Sequence, residues 1–524
     1  MDVINAKFKN NLDIIFVLAL YLIMGILLIN NYQYALSDDG ISYINIAQKY
    51  LNGNFADAIN GYWGPLISWL LAPMLYFFSS SPASSVYLMK LFSLVTGFFT
   101  IIGIKLIVDN FEIDNVIKRL MIFSLIPIIV QFSFYITTPD LLITCILIYY
   151  LYFIFSPKYI DNWHMGLMCG FTGALAYLSK SFALPFFLSH FILFNLFFYF
   201  RNLNKEKRIK IVRNLFIGLI IFFIISGVWI ALISDKYGKI TIGTSGEYNH
   251  NLLGPESLGH YQHYSGLVKP PNDSAGSAWE DPSYYKMKSW SINSWENFKF
   301  QIEIILKNIV NMINIIELFS IFSIVIIIGA IFLIIRSSTD HVSRDKLIYL
   351  LITILIYSGG YILIFVEARY IWLIDILLLI MSSYILSLLF KLNYISKIQK
   401  NILITFLVLS FIISPISLLI VDSHIGESTY NLSEELKINY NIHGNLASNN
   451  QLVNSEVIAF YTESKYYGKP KKTDDYNELN IELKNSNIDY YIVWGESKEN
   501  SYFSKRYKEI TNGNIKNLRI YYLS

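Results

Sequence analysis

The feature that most constrains this chain is a series of apolar runs, each long enough to cross a membrane as a helix. A spanning helix needs roughly 17–25 predominantly apolar residues. Eleven runs meet this length, near residues 13–30, 84–106, 118–136, 140–156, 164–180, 182–200, 212–234, 314–335, 346–366, 370–390 and 401–421. The chain is 54% hydrophobic and 15% charged, whereas soluble domains carry about 25% charged residues. The sequence therefore predicts a polytopic α-helical membrane protein. It excludes a cytosolic enzyme and a nucleic-acid-binding protein, which would need a clustered basic face.

A twelfth apolar run, 64–79, decides the topology. It is short and contains Pro65 and Pro73. If this run does not span the membrane, all the strongly basic short segments fall on the same side of it. They include the N-terminal lysines and the run 201–213. Such loops mark the cytoplasm. We therefore predict a helix lying at the outer interface over 64–79, a cytoplasmic N-terminus in the plasma membrane, and two large outer loops, 31–83 and 235–300.

The charge pattern changes near residue 421. In 422–524, 26 of 103 residues are charged, which is the ordinary proportion for a soluble domain. We therefore expect a membrane domain over 1–421 and a small extracytoplasmic α/β domain over 422–524. In the latter, the patterns predict strands at 456–461, 488–494 and 518–523, with a helix over 474–487.

Ionisable residues collect at the outer ends of the spans. Asp38 and Asp39 precede a helical pattern, so one of them could cap that helix, or the pair could act in catalysis or ion binding. Asp140 opens a span and has the same two interpretations. Lys180 and Arg369 also lie at outer ends. Each alone could reach the lipid headgroups, and together they could bind a lipid-linked phosphate.

The long loop 235–300 is rich in aromatic residues, including Trp279. Such rings stack on sugars but are equally common at interfaces. His260 and His263 form a weak metal-ligand pattern that does not by itself predict a metal site.

Several short motifs resemble those of one family when their order and sidedness are taken together. Asp38-Asp39 with Tyr43 resembles an acidic motif followed by an aromatic residue, although an aspartate replaces the usual glutamate. The run 62–70 resembles an interfacial Pro-Leu-x-x-Trp-Leu helix, Asp140 matches a second acid, and 174–180 resembles a Gly-Leu-Ala-x-x-x-Lys end. The chain thus resembles the GT-C superfamily of membrane glycosyltransferases, in the branch of protein O-mannosyltransferases and lipid A aminoarabinose transferases. Trp63-Gly64 stand where many relatives carry a phosphate-binding lysine.

The resemblance implies a GT-C fold and an inverting transfer of a hexose or pentose from polyprenyl phosphate to a hydroxyl of a protein, lipid or glycan. Asp38 would be the general base, and Lys180 and Arg369 would bind the donor phosphate. Asp39 and Asp140 would orient the acceptor or hold a divalent cation, Mg²⁺ or Mn²⁺. The expected substrate contacts are Tyr43, Tyr62, Trp63, Trp279, Glu367 and Tyr370.

Two other functions stay open at this point. A transporter or flippase of a lipid-linked glycan would show internal repeats and broken helices, and no repeat is evident in the sequence. A non-catalytic assembly factor of the membrane would not need its outer charges to converge. The position of these charges in the fold therefore discriminates among the three functions.

Overall fold

The computed structural model describes residues 2–257, 266–285, 287–336, 340–391 and 395–523, with side chains from residue 12 onward. Most of this part of the chain is helical. Long helices account for the first 421 residues, and a small sheet lies in the last 80. The helices of the first part are α1 Asp2–Tyr32, α2 Asp38–Leu51, α3 Phe55–Ala58, α4 Leu66–Phe77, α5 Pro82–Asp109, α6 Asn115–Tyr135, α7 Asp140–Ile154, α8 Trp163–Ser179, α9 Ala183–Arg201, α10 Lys205–Tyr237, α11 Ser245–Leu252, α12 Trp295–Phe319, α13 Ser323–Ile335, α14 His341–Ile362, α15 Trp372–Lys391 and α16 Lys397–Val421.

The eleven predicted spans all lie on helices, but not all of these helices have full spanning length. Eight helices of the described chain are long and apolar enough to cross a membrane. Helices α7 and α8 are shorter, with 15 and 17 residues.

The predicted span 314–335 is not one helix, and that part of the prediction is wrong. Helices α12 and α13 meet there at 103°, and counting them as one bent span raises the total to nine. At the bend, Ser320 is extended and the Ser323 hydroxyl donates to the Ile316 carbonyl at 2.8 Å. Ser320 N also donates to this carbonyl, at 3.0 Å, so the regular helical bonding of α12 ends here and the Ser323 hydroxyl provides the carbonyl with a second donor. Hydropathy alone does not reveal such a break, because the residues on both sides of it are apolar.

Small residues bring α8 and α10 together. A Cβ added at Gly170 would collide with the Gly218 carbonyl of α10. Close backbone approach at glycine is a general means of packing membrane helices, because lipid provides no hydrophobic force between them. This packing fixes α8, and therefore the position of Lys180, which follows its last residue.

The first outer connection folds into α2, α3 and α4. Helix α4 corresponds to the interfacial helix predicted over 64–79. The Ser68 hydroxyl donates to the Tyr43 carbonyl at 2.9 Å and ties α4 to α2. Gly40 lies so close to Thr137 that a side chain would collide with it. The start of α2 therefore packs directly against the turn that precedes Asp140.

The C-terminal part contains a five-stranded sheet in the order β2-β1-β3-β5-β4. Strand β1 is parallel to β2 and β3, whereas β5 is antiparallel to β3 and β4. Four helices accompany the sheet. The elements are α17 Glu427–Tyr440, β1 Asn445–Ser448, α18 Leu452–Tyr461, β2 Lys465–Tyr466, α19 Tyr476–Asn485, β3 Tyr490–Trp494, α20 Lys498–Phe503, β4 Lys508–Glu509 and β5 Leu518–Tyr522.

The predicted helix over 474–487 and the strands at 488–494 and 518–523 are confirmed as α19, β3 and β5. The predicted strand at 456–461 is wrong, because these residues belong to helix α18. All of them are buried, so the run shows no alternation. A short, fully buried apolar run fits a helix as well as a strand.

Candidate active site

Arg369 lies at the centre of a cluster of carboxylates. Its Nη2 is 2.8 Å from Asp39 Oδ2, its Nη1 is 4.0 Å from Asp140 Oδ2, and its Nε is 2.5 Å from Glu367 Oε2. The guanidinium side chain is only 12% exposed, and that of Asp140 is 1% exposed. Arg369 belongs to the short 3-10 turn Ala368–Ile371 ahead of α15. One side chain therefore links α2, α7 and this turn.

Lys180 completes the cluster from a fourth element. Its Nζ is 2.5 Å from Asp140 Oδ1 and lies 4.1 Å from the centre of the Tyr370 ring. Asp140 also accepts a hydrogen bond from the Thr138 hydroxyl at 2.5 Å. The four predicted residues Asp39, Asp140, Lys180 and Arg369 are thus brought together, as are Glu367 and Tyr370.

Asp38 differs from its neighbour. The cap of α2 is Ser37, whose hydroxyl accepts from Gly40 N, so neither aspartate has the capping role. Asp38 Oδ1 accepts from Asp39 N at 2.9 Å. Within the described chain, no lysine or arginine lies within ion-pair distance of it. Burial and the neighbouring Asp39 carboxylate raise the pKa of the Asp38 carboxyl to about 6. Of the two adjacent aspartates, Asp39 is therefore bound to a cation, whereas Asp38 is available to take a proton.

Aromatic residues pack beside Asp39 and hold its side chain in position. Trp279 Nε1 donates to Asp39 Oδ1 at 3.0 Å, and Trp63 Nε1 donates to the Trp279 carbonyl at 3.2 Å. Tyr43, Trp63 and Trp279 are all buried, and Tyr62 is half-buried. The buried rings pack on one another and hold Asp39 in place.

An amide row on α12 holds the segment that leads to Arg369, and the sequence analysis missed it. Asn308 Nδ2 donates to the carbonyls of Ile362 and Ile364 at 2.9 and 2.7 Å. Gln301 and Asn311 donate to the carbonyls of Leu363 and Val366 at 2.8 and 3.0 Å. These carbonyls follow the end of α14 and would otherwise lack partners. The available signal was the seven-residue spacing of Gln301 and Asn308, which places both on one helix face.

A buried ion pair joins α2 to the long outer loop, and it was also missed. Lys49 pairs with Glu280, and their side chains are 4% and 1% exposed. Glu280 additionally accepts from Asn45 Nδ2 at 3.2 Å and from Gly276 N at 3.0 Å. The pair fixes the 3-10 turn that carries Trp279, and so it positions the partner of Asp39.

The donor set at the cluster does not fit a divalent cation. Within the described residues, no three acidic, histidine or cysteine side chains converge as metal ligands. Asp39 and Asp140 are instead occupied by Arg369 and Lys180, whose positive charges repel a metal ion. His260 and His263 lie outside the described residues.

The fold is shared with known membrane glycosyltransferases. ArnT from Cupriavidus metallidurans, solved bound to undecaprenyl phosphate, aligns over 97% of this chain and 98% of its own at 9% identity, with a TM-score of 0.57. The archaeal oligosaccharyltransferase AglB from Archaeoglobus fulgidus, in complex with an inhibitory peptide and a dolichol-phosphate, aligns over 93% of this chain and 70% of its own at 11% identity, with a TM-score of 0.51. No protein-family model and no curated protein sequence matches the chain. The predicted GT-C fold is confirmed.

Proposed function

We propose that the protein is a GT-C glycosyltransferase that moves a sugar from a polyprenyl-phosphate donor to an acceptor hydroxyl at the outer face of the membrane. The observation that carries the proposal is the cluster around Arg369, with Asp38 beside it as an acid that forms no ion pair with any lysine or arginine of the described residues. The shared fold supports it, since the two similar structures were solved with undecaprenyl phosphate and dolichol-phosphate.

Asp38 would act as the general base. As the acceptor oxygen attacks the anomeric carbon, its proton passes to the Asp38 carboxylate. The bond between that carbon and the phosphate oxygen breaks, and the electron pair leaves with the polyprenyl phosphate. A single displacement inverts the anomeric configuration. A carboxyl with a pKa of about 6 is a stronger base than an ordinary aspartate while still being ionised at neutral pH.

Arg369 and Lys180 would stabilise the departing phosphate. Negative charge develops on the leaving oxygen, and preorganised cations next to it lower the barrier. The ammonium of Lys180 has three donors, only part of which Asp140 uses. Asp39 and Asp140 hold the two cations in place before the donor arrives, and they would orient the acceptor.

The proposal also specifies how the protein is oriented in the membrane. The N-terminus would lie in the cytoplasm, and both the cluster and residues 422–524 would lie outside. The acceptor would be a protein, lipid or glycan, and the sugar a hexose or pentose.

The convergence of these charges favours a transferase over the two alternatives. A non-catalytic assembly factor has no need for these charged residues to converge. The broken α12–α13 helix is a feature that transporters also show. The charged cluster, however, is formed by the ends of other elements and does not lie at the break.

The experiment is a transfer assay with purified protein in nanodiscs. Polyprenyl phosphates carrying one of several labelled hexoses or pentoses are offered together with membranes as the acceptor source. We expect release of polyprenyl phosphate and a product of inverted anomeric configuration, determined by NMR. Consumption of no donor in the panel would overturn the proposal, and a retained configuration would overturn the single displacement.

A further inference from the structure

A cleft of about 380 Å³ lies between helix α2 and helix α18. Helix α2 contributes Ile41, Asn45 and Gln48, and Asn52 follows its last residue. Helix α18 of the C-terminal part contributes Glu456, Ala459 and Phe460, and Glu463 follows its end. The segment 273–277 forms the floor. None of the four charged residues around Arg369 lines this cleft, so it is a separate feature of the molecule.

Asp38 does not line the cleft, but it lies about one turn before the lining residue Ile41 on the same helix. Residues 38, 41, 45 and 52 are three, seven and fourteen positions apart, so they share one face of α2. From residue 38 to residue 52 this face extends about 21 Å at 1.5 Å per residue. Glu456, on the opposite wall, is close enough for the charge of Asp38 to affect its ionisation. An elongated molecule lying along α2 would therefore place one end at the proposed base.

The lining is suited to a neutral, hydroxyl-rich ligand. Most of its residues are polar, and many of them carry side-chain amides or hydroxyls, which both donate and accept hydrogen bonds. The group comprises Asn45, Gln48, Asn52, Asn54, Ser80, Ser274, Ser277, Ser464 and Tyr466.

The charges of the cleft largely cancel. Lys49 is paired with Glu280, and Glu463 is paired with Lys437. Burial and the charge of Asp38 raise the pKa of Glu456 to about 8, so this carboxyl is mostly neutral at pH 7. Asp273 and Lys465 also line the cleft; they carry opposite charges, and neither forms an ion pair within the described residues. An anionic lipid headgroup therefore finds a single unpaired lysine here, balanced by an aspartate.

A peptide strand is also a poor fit. The strand nearest the cleft, β2, is at the edge of the sheet, where an extended peptide would add. That edge is already occupied, because Tyr466 N donates to the Gly276 carbonyl and Val268 N donates to the Tyr467 carbonyl, both at 2.8 Å.

We infer that this cleft binds the acceptor of the reaction and that the acceptor is a neutral glycan chain. The inference rests on the proposed function and extends it, since it selects one of the three acceptor classes. One sugar hydroxyl at the end of the chain would face Asp38, while the preceding sugars lie along the amide side chains of α2.

The test blocks the cleft with a bulky reagent. Asn52 is exposed and lines the cleft, so Asn52→Cys is alkylated with a polyethylene glycol maleimide. Asn514→Cys is the matched control, because Asn514 is exposed on the C-terminal part and outside the cleft. The native Cys145 and Cys169 are buried and do not compete for the reagent. The assay is transfer from the labelled donors to membranes, with products separated into lipid, protease-sensitive and protease-resistant, periodate-sensitive fractions. Binding of radiolabelled undecaprenyl phosphate is measured in parallel.

We expect label in the protease-resistant, periodate-sensitive fraction. Alkylation of Asn52→Cys should reduce this label at least tenfold and leave undecaprenyl phosphate binding within twofold, while alkylated Asn514→Cys behaves as wild type. Label in the lipid or protease-sensitive fraction overturns the inference. So does transfer that survives alkylation, or a loss of undecaprenyl phosphate binding along with transfer. If the wild type produces no label in any fraction, the proposed function itself fails, and the inference fails with it.

Discussion

The ionisation of Asp38 should set the rate of transfer below neutral pH. A general base acts only when deprotonated, and kcat/KM reports its pKa in the free enzyme. With a pKa of about 6, about one eleventh of the carboxyl is ionised at pH 5 and about ten elevenths at pH 7, so kcat/KM should rise about tenfold over this interval. An aspartate at the ordinary pKa of about 3.9 is more than 90% ionised throughout, and the rate would change by only about a tenth.

A second perturbation tests the cause of the raised pKa. Asp39→Asn removes the negative charge that raises the pKa of Asp38, and it releases Arg369, whose positive charge lowers that pKa. Both effects lower the pKa of Asp38. In the activity that the variant retains, the rise of kcat/KM with pH should therefore occur at lower pH than in the wild type. Glu456→Gln is the control. The Glu456 carboxyl is mostly neutral near pH 6. Replacing it with an amide should therefore leave the rise of kcat/KM centred near pH 6.

The assay is kcat/KM for sugar transfer between pH 4.5 and pH 8, with each sample returned to pH 7 afterwards to show that the protein has not been inactivated. A rate that stays level from pH 5 to pH 7 would refute the assignment of Asp38 as a base of raised pKa. If kcat/KM of the Asp39→Asn variant rises at a higher pH than that of the wild type, the electrostatic explanation is refuted.

Three further predictions concern stability, positioning and metal dependence. Lys49→Met leaves the Glu280 carboxylate buried without its cation, so it should destabilise the protein by about 3–5 kcal/mol in thermal unfolding, and Lys49→Met with Glu280→Gln should recover part of this loss. If Lys49→Met unfolds at the wild-type temperature, the pair is not buried as described. Asn308→Ala removes two hydrogen bonds from the segment leading to Arg369, at about 0.5–1.5 kcal/mol each. We expect kcat/KM to fall about tenfold, more than for Asn311→Ala, which removes one, and equal effects would contradict this positioning role. Transfer should be unchanged by EDTA, because Arg369 and Lys180 already neutralise the carboxylates, whereas a loss restored by Mg²⁺ or Mn²⁺ would show that a metal ion displaces them.

The apolar spans were predictable because hydropathy is a property of each run by itself. The bilayer demands about 20 apolar residues whatever the rest of the fold, and the runs at 84–106 and 401–421 correspond to α5 and α16. Helix α12 was largely missed, since its buried face mixes Gln301 and Asn308 with apolar residues. Those amides are explained only by the carbonyls at 362–366, which are distant in sequence.

The predicted membrane topology, which puts the charged residues of the site on the same side of the bilayer, predicted that they would be grouped. Asp140, Lys180 and Arg369 were all predicted to lie at the outer ends of spans, and the structure brings them together. The sequence did not reveal which acid pairs with Arg369, because adjacent residues of a helix point about 100° apart and the position of Arg369 relative to α2 is a tertiary property. The burial of Lys49 was equally hidden, since it depends on Glu280, 231 positions away.

The most direct test of the account is the activity of Asp38→Asn in purified protein with the labelled donors. Asp235→Asn is the matched control, because Asp235 is an exposed acid at the end of α10, outside both the cluster and the cleft. General-base catalysis contributes about 10²–10⁴-fold, so we predict that Asp38→Asn lowers kcat at least about 100-fold, while Asp235→Asn and the unfolding temperatures of both variants match the wild type. Transfer by Asp38→Asn within twofold of the wild type would contradict the central claim that Asp38 takes the proton of the acceptor.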